Sequence, residues 1–405
     1  MGGNVTAVNK KTGKAIDAVK IPIKEIGRQE FINTFIKIFK KMNADFYSKY
    51  KKKIWVDESH LISGFAFNGS TSFIMDPTLS DEEVIKYKPS AGDLDIVVPE
   101  DLKEELWHYL DSIEGEEIIS GAVYHGSNRP TLSSVTDQIN SVIIVKFKNG
   151  VRAYCQVDFE LLPFENNKPT DWSKFSHSSS FEDAKASIKA VHHKYAIRAL
   201  VGGASVRDDI VIATKSSTPD KIKLSGAKAD QLPRMLKFSV LRGIGIAYEP
   251  MLDENGKEIK LDGKFVYKEI PTSERKYETI ISEIYKLSFR QLDGHEEDVK
   301  LFYSYVGILQ LMKKFLTEVE IKRTHNRYLD MLWGVGTEKG QVLETSSREL
   351  DFEVKNAGYQ KFIKTLGLKD ESTKLIQKYY KEVFKDKQVN ESKTFRSLLE
   401  NLINN

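Results

Sequence analysis

A single cysteine, Cys155, stands in 405 residues. It excludes an internal disulfide and with it the stapled secreted scaffolds. No apolar run approaches the ~18 residues that a membrane-spanning helix needs. The N-terminal stretch is charged and has no apolar segment leading to a small-residue cleavage site, so no secretory signal is expected. A reducing, cytoplasmic setting without a membrane partner fits these absences. Internal repeats and low-complexity tracts are also missing, which excludes solenoids and fibres. The formal net charge is only +3, too small to make the whole chain a polyanion binder. What is present, 40% hydrophobic and 29% charged residues, describes globular units each large enough to bury a core.

The charge is unevenly spread. Residues 1–53 hold 13 Lys or Arg against Asp17, Glu25, Glu30 and Asp45. That excess reads either as a solvated helix face or as a phosphate-attracting surface. Residues 1–22 lack periodicity and are expected to be a flexible arm. From Lys24 to Lys53, Phe31, Ile32, Phe35, Ile36, Ile38, Phe39, Met42 and Phe46 recur at three- and four-residue steps, which predicts an amphipathic helix. Residues 61–75 and 94–98 read as buried strand or strand-turn segments, with a helix near 100–113. Runs 141–147 and 151–162, joined by Lys148-Asn149-Gly150, predict a hairpin. Residues 165–180 read as a polar loop. Ser180 with Asp183 predicts a capping box for a helix ending at Gly202-Gly203. Residues 205–272 turn to short strands with Asn255-Gly256 and Asp262-Gly263 turns. From Ser273 onward the periodicity is helical, notably over 276–290 and 296–321.

The residues that can carry chemistry begin with Gly69-Ser70. Asp93-Leu94-Asp95 then opens the strand Ile96-Val97-Val98, and Asp158 lies within Gln156-Val157-Asp158-Phe159-Glu160. Strand side chains alternate, so Asp93 and Asp95 project to one side. With a third strand-borne carboxylate they make a set of hard oxygen donors suited to Mg²⁺ or Mn²⁺. Two such ions serve an in-line phosphoryl displacement. Gly69 allows close backbone approach to a triphosphate, and Ser70 offers it a hydroxyl and an N–H. The alternative is that the acids cap loops or pair with surface lysines, but carboxylates inside apolar strands are costly unless paired or metal-bound.

These motifs resemble those of the polymerase-β-like nucleotidyltransferase superfamily, with its hG[GS] turn, hDxDh strand and later strand-borne carboxylate. Phe67-Asn68-Gly69-Ser70, Gly92-Asp93-Leu94-Asp95-Ile96 and Val157-Asp158-Phe159 match them over roughly residues 60–162. The 22 residues between Ser70 and Asp93 exceed the family's short spacing, which makes 76–90 an inserted loop. The resemblance implies an α+β fold with a mixed sheet and helices over 23–203, and the patterns beyond it predict a β-rich insertion over 204–272 and an all-helical C-terminal domain over 273–405. It further implies two Mg²⁺ or Mn²⁺ ions on Asp93, Asp95 and Asp158, with Asp158 helping to deprotonate the acceptor. Transfer of NMP from ATP or another NTP to an acceptor hydroxyl, releasing pyrophosphate, follows. RNA is the expected acceptor and partner; a small-molecule, sugar, nucleotide or protein hydroxyl is the alternative. A catalytically silent protein that binds NTP or nucleic acid is a third reading.

Archaeal-type CCA-adding enzymes and poly(A) polymerases are similar at two shorter places. His193 and Lys194, and then Lys237 of Met235-Leu236-Lys237-Phe238, would on that likeness contact the nucleotide, although 237–248 reads as a strand. His192 and His193 are adjacent, about 100° apart on a helix, a poor metal pair. Gly64 to Thr71 and Gly121 to Ser127 approach a P-loop but lack its lysine. Lys260-Leu261-Asp262-Gly263 matches the KxDG of covalent nucleotidyltransferases yet falls in a hairpin turn. Cys155 lies on the strand face away from Asp158 and reads as a small buried hydrophobe. Trp333, Tyr303, Tyr305 and Phe315 read most simply as core, with base stacking as the alternative.

Overall fold

The computed structural model describes residues 6–8, 15–17, 19–112, 123–125, 138–203, 210–213, 236–289, 296–333 and 352–370. Helices and sheets are intermixed, an α+β architecture, and no described helix is long and apolar enough to cross a membrane. The chain folds as two compact units. The first comprises Met1–Ala190, Val240–Gly243 and Thr279–Ile281, and the second Val191–Ser239, Ile244–Glu278 and Ser282–Asn405. The division falls before Val191, so the helix 191–203, expected within the 23–203 core, belongs to the second unit.

The first unit is built on a seven-stranded sheet. Its strands are β1 (Thr6–Val8), β2 (Ala15–Asp17), β3 (Phe67–Asn68), β4 (Asp93–Pro99), β5 (Val123–His125), β6 (Gln138–Lys146) and β7 (Arg152–Leu162), in the order β2-β1-β5-β6-β7-β4-β3. Parts of residues 1–22, expected as a flexible arm, are therefore strands: β1 pairs with β5. Ile21 also exchanges backbone hydrogen bonds with Ala91. The β6–β7 hairpin forms as expected, with Gly150 at φ +86°. β4 and β7 run parallel, Asp95 opposite Asp158.

Strand alternation separates two faces. Leu94, Ile96 and Val98 share a core with Val157, Phe159 and Leu161 and with Phe31, Phe35, Phe39 and Phe46 of the helix Arg28–Tyr50. Phe39 packs at 5.8 Å from Phe67, whose register partner is Ile96. The acids lie on the opposite face.

Residues 61–75, expected as strand or strand-turn, contain the two-residue β3 as their one strand. Turns of helix at Ser59–Ile62 and Thr71–Ile74 flank it. The expected inserted loop contains the helix Asp81–Tyr87, capped by Ser80. Arg28, only 3% exposed, clasps the whole excursion. Its guanidinium donates to the carbonyls of Ile74 at 2.7 Å, Leu79 at 2.8 Å and Asp76, and to the Asp81 carboxylate at 2.7 Å. Residues 165–180 also differ from expectation. Phe164–Glu165 and Lys168–Pro169 form a small hairpin through Asn166-Asn167, both at positive φ, and Thr170 caps the helix Asp171–His177. Ser180 caps a helix that ends at Lys185 and not at 203. Ser187, at φ +58°, closes it: Ile188 N–H reaches Asp183 and Ser187 N–H reaches Ala184, the paired bonds of a left-handed C-cap.

In the second unit, Ile210–Ala213 lies parallel to Lys264–Glu269, which also pairs with Tyr248–Pro250 and Lys260–Leu261. Leu236–Ser239, Gly243–Ile246 and Tyr277–Glu278 make a second small sheet. The expected continuous helix over 296–321 is three, Glu296–Leu301, Tyr305–Phe315 and the start of Glu318–Trp333, because Ser304 caps a new helix and Leu316 is extended. The helix Val191–Gly203 packs with Glu318–Trp333 and Tyr305–Phe315. Tyr305 is fully buried, whereas Tyr303 is exposed. Residues 371–405, and the part of 204–235 outside Ile210–Ala213, lie outside the described residues.

Candidate active site

Parallel pairing brings the three acids together. Asp95 and Asp158 are register partners, and Asp93 stands two residues up the same face of β4, opposite Gln156. One carboxylate oxygen from each of Asp93, Asp95 and Asp158 lies within 4.8 Å of the others. Glu160, two residues beyond Asp158, extends the acidic row.

The Gly69-Ser70 turn is pressed onto this cluster. Gly69 sits at φ +51°, and a Cβ there would fall 1.7 Å from Asp95 Oδ2. Asp95 N–H donates to Thr71 Oγ1 at 3.1 Å. Gly69 N–H donates to the His177 carbonyl at 3.0 Å, which ties the turn to the helix Asp171–His177. From that helix Lys174 extends its ammonium to the Phe67 carbonyl and, at 2.8 Å, to Asn68 Oδ1. Asn68 Nδ2 in turn donates to Glu160 at 2.5 Å. The Ser70 hydroxyl has no partner among the described residues.

Crowding of like charge in a buried place sets the titration of these groups. Burial, then the charges of Glu160, Asp93 and Asp158, push Asp95 well above the ordinary carboxylate range. Burial lifts Asp158 to about 7, with Asp93 and Glu160 adding and the Gln156 hydrogen bond opposing. Burial lowers Lys174 to about 7 against the pull of Glu160 and Asp95. Gln156 is 2% exposed. Its Nε2 donates to both oxygens of Asp158 at 3.1 and 3.0 Å, while its Oε1 has no partner among the described residues. Three converging carboxylates, Asp95 and Asp158 among them held up by burial, beside an orphaned amide oxygen, make a donor set that fits a divalent hard cation.

The other expected site residues, His193, Lys194 and Lys237, belong to the second unit. His193 is buried in the second unit with Nε2 on the Phe302 carbonyl at 3.0 Å. Burial brings its pKa down to about 4. It is a core histidine of that unit. Its neighbour His192 is equally a core group, held by the Tyr328 hydroxyl at 2.7 Å and the Val354 carbonyl at 2.8 Å. Lys194 is a half-buried residue of the same helix. Lys237 lies in the strand Leu236–Ser239, also in the second unit. Cys155 is buried, and burial pushes its thiol far up, as befits an inert hydrophobe.

Asn68, Gln156, Glu160 and Lys174 were not singled out by the motifs. The alternation Gln156, Asp158, Glu160 carries a signal for two of them, since all three fall on one strand face. Nothing in the sequence around Lys174 points to Asn68. Comparison with protein-family models, curated proteins and solved structures returns no match to this chain.

Proposed function

We propose that the chain is a metal-dependent nucleotidyltransferase that transfers NMP from an NTP to an acceptor hydroxyl and releases pyrophosphate. The observation that carries the reading is the convergence of Asp93, Asp95 and Asp158 from two parallel strands, their oxygens within 4.8 Å, against a glycine turn that tolerates no side chain. Divalent ions held by these three carboxylates would polarise the phosphates and acidify the acceptor hydroxyl. Asp158, oriented through both oxygens by Gln156, stands ready to receive the acceptor's proton. Ser70 presents its unpartnered hydroxyl to a phosphate oxygen. Lys174, Asn68 and Glu160 lock the backbone that carries the turn.

RNA is the acceptor we propose, and hydroxyls of small molecules, sugars, nucleotides or proteins are alternative outcomes of the same assay. The test is incubation with each of four α-³²P-labelled NTPs, Mg²⁺ or Mn²⁺ and total cellular RNA. Wild type should label RNA, and Asp93→Ala and Asp95→Ala should label nothing while keeping the wild-type circular dichroism. Undiminished transfer by Asp93→Ala would overturn the reading. Nucleotide binding without turnover would support the silent binding protein instead.

A further inference from the structure

The strand face that carries the aspartates holds a fourth carboxylate that stands apart from them. Glu160 follows Asp158 by two residues, so both side chains leave β7 on one side, their Cα atoms ~6.6 Å apart. Yet the oxygens within 4.8 Å of one another come from Asp93, Asp95 and Asp158, and Glu160 contributes none. Its register partners, Val97 on β4 and Gln138 on β6, offer it no charge. The carboxylate is drawn instead across β4 to the edge strand β3, where Asn68 Nδ2 donates to its Oε2 at 2.5 Å.

The surroundings of Asn68 fix which end of its amide does this. Asn68 is 0% exposed, and its Oδ1 accepts from the Lys174 ammonium at 2.8 Å and from the Ser178 hydroxyl at 3.4 Å. An ammonium can only donate, so the amide must present its NH₂ to Glu160 and cannot turn round. Lys174 is itself directed: it donates to the Phe67 carbonyl as well, and the Phe65 ring centre lies 5.4 Å from its Nζ. Burial disfavours its charge, and Glu160, ahead of Asp95, sustains it. Ammonium, amide and carboxylate thus form one chain in which the charge of Glu160 is already answered. Among the described residues no lysine or arginine is bonded to Asp93, Asp95 or Asp158.

A fourth carboxylate among the three would change what they bind. Mg²⁺ is held through one or two carboxylates together with substrate phosphates and waters, whereas Ca²⁺ gathers about six to eight oxygens, bidentate carboxylates included. An added carboxylate takes a position that a phosphate oxygen needs, and favours the larger ion.

We propose that Asn68 and Lys174 are positioning residues that hold Glu160 away from the cation cage, which keeps positions open for phosphate oxygens and favours Mg²⁺ or Mn²⁺ over Ca²⁺. This guard rests on the nucleotidyltransferase reading of the cage and adds its cation selectivity.

The test uses the full chain, Mn²⁺ binding by electron paramagnetic resonance and Ca²⁺ as competitor. Wild type should bind Mn²⁺. Asn68→Ala frees Glu160, so the ratio of Ca²⁺ to Mn²⁺ affinity should rise about tenfold, the worth of one charge-assisted contact. Asn68→Ala/Glu160→Gln should return that ratio to within about threefold of wild type, which a merely structural effect of losing Asn68 would not do. If Asn68→Ala fails to fold, two other variants carry the test. Lys174→Met, which leaves Asn68 in place but unheld, should shift the ratio in the same direction. Glu160→Gln, which still accepts from Asn68, should bind Mn²⁺ within about twofold of wild type. A loss of tenfold or more in Glu160→Gln would make Glu160 a ligand and overturn the guard. An unchanged ratio in folded Asn68→Ala or Lys174→Met, or no Mn²⁺ binding by wild type, also overturns it. The labelled-NTP assay separates the two readings. Transfer by wild type, with no Glu160-dependent change of ratio in the variants, removes the guard and leaves the reaction. A Glu160-dependent change without any transfer removes the reaction and leaves the guard.

Discussion

At Gly69 the backbone and a carboxylate occupy adjoining space, and a single methyl decides whether both fit. The Cβ of Gly69→Ala would overlap Asp95 Oδ2, and the positive φ adds strain. The carboxylate must rotate away, which disperses the cluster. We expect Gly69→Ala to lose at least ~100-fold in nucleotidyl transfer, since misplacement of about 1 Å is costly in a positioned site. Its near-ultraviolet circular dichroism should match wild type, and wild-type turnover would show that Asp95 need not hold its place.

Asp158 carries a linkage whose sign is unambiguous. Its native pKa of about 7 lies above the ordinary 3.8, so the native state holds a proton that the unfolded chain has released between those values. Stability must therefore fall as pH rises from about 4 to about 7 and level off above. Metal-free protein should melt at a higher temperature at pH 5 than at pH 7.5. Asp158→Asn should reduce that difference and stabilise the metal-free chain at pH 7.5 by on the order of 2 kcal/mol. Mn²⁺ should raise the melting temperature of wild type more than that of the variant. A variant less stable than wild type at pH 7.5, without Mn²⁺, would mean that the carboxylate is favourably held as an anion.

At the scale of elements, the helix over 28–50 and the β6–β7 hairpin were legible because period and turn residues agree along each. The break at Ser187 was not legible. The C-cap there uses a serine where glycine is the usual mark, so the sequence reads as continuous. Ser187→Gly should relieve the left-handed strain and stabilise the first unit by about 0.5 kcal/mol. The check is a higher urea midpoint with an unchanged m-value. The burial of His193 was also not legible. The helix 191–203 buries Ala196, Ile197, Ala199, Leu200 and Val201 as well as both histidines, and leaves Lys194 and Arg198 to its polar face. The three aspartates, by contrast, were legible because each interrupts an apolar strand. Lys174 was invisible because tertiary pairing, not spacing, brings it to Asn68 and the acidic row.

Across the whole molecule the chain divides into two units, and the three acids and the glycine turn belong to the first. Within it, the lysine-bearing helix 28–50 packs on the apolar face of the sheet, opposite the acids. Its charge therefore does not line the carboxylate face. Part of that charge is already answered: Lys41 pairs with Asp45 at 2.7 Å, and Lys52 with Glu105 at 2.5 Å. The basic N-terminal stretch is thus a weaker argument for an RNA acceptor than its composition suggests.

The parallel partnership of β4 and β7 also has a temporal side. Asp95 and Asp158 are about 60 residues apart in the chain, and pairing of such distant strands is among the slower steps of folding because the loop must close first. β7 must already be in place before the three carboxylates can meet, so an ion bound by them would hold the domain once formed. Added Mn²⁺ should therefore leave the refolding rate within about twofold and slow unfolding instead, as contacts absent from the transition state do. The cation would act as a latch on a finished domain: its loss would shorten the lifetime of the native state without changing how quickly that state is reached.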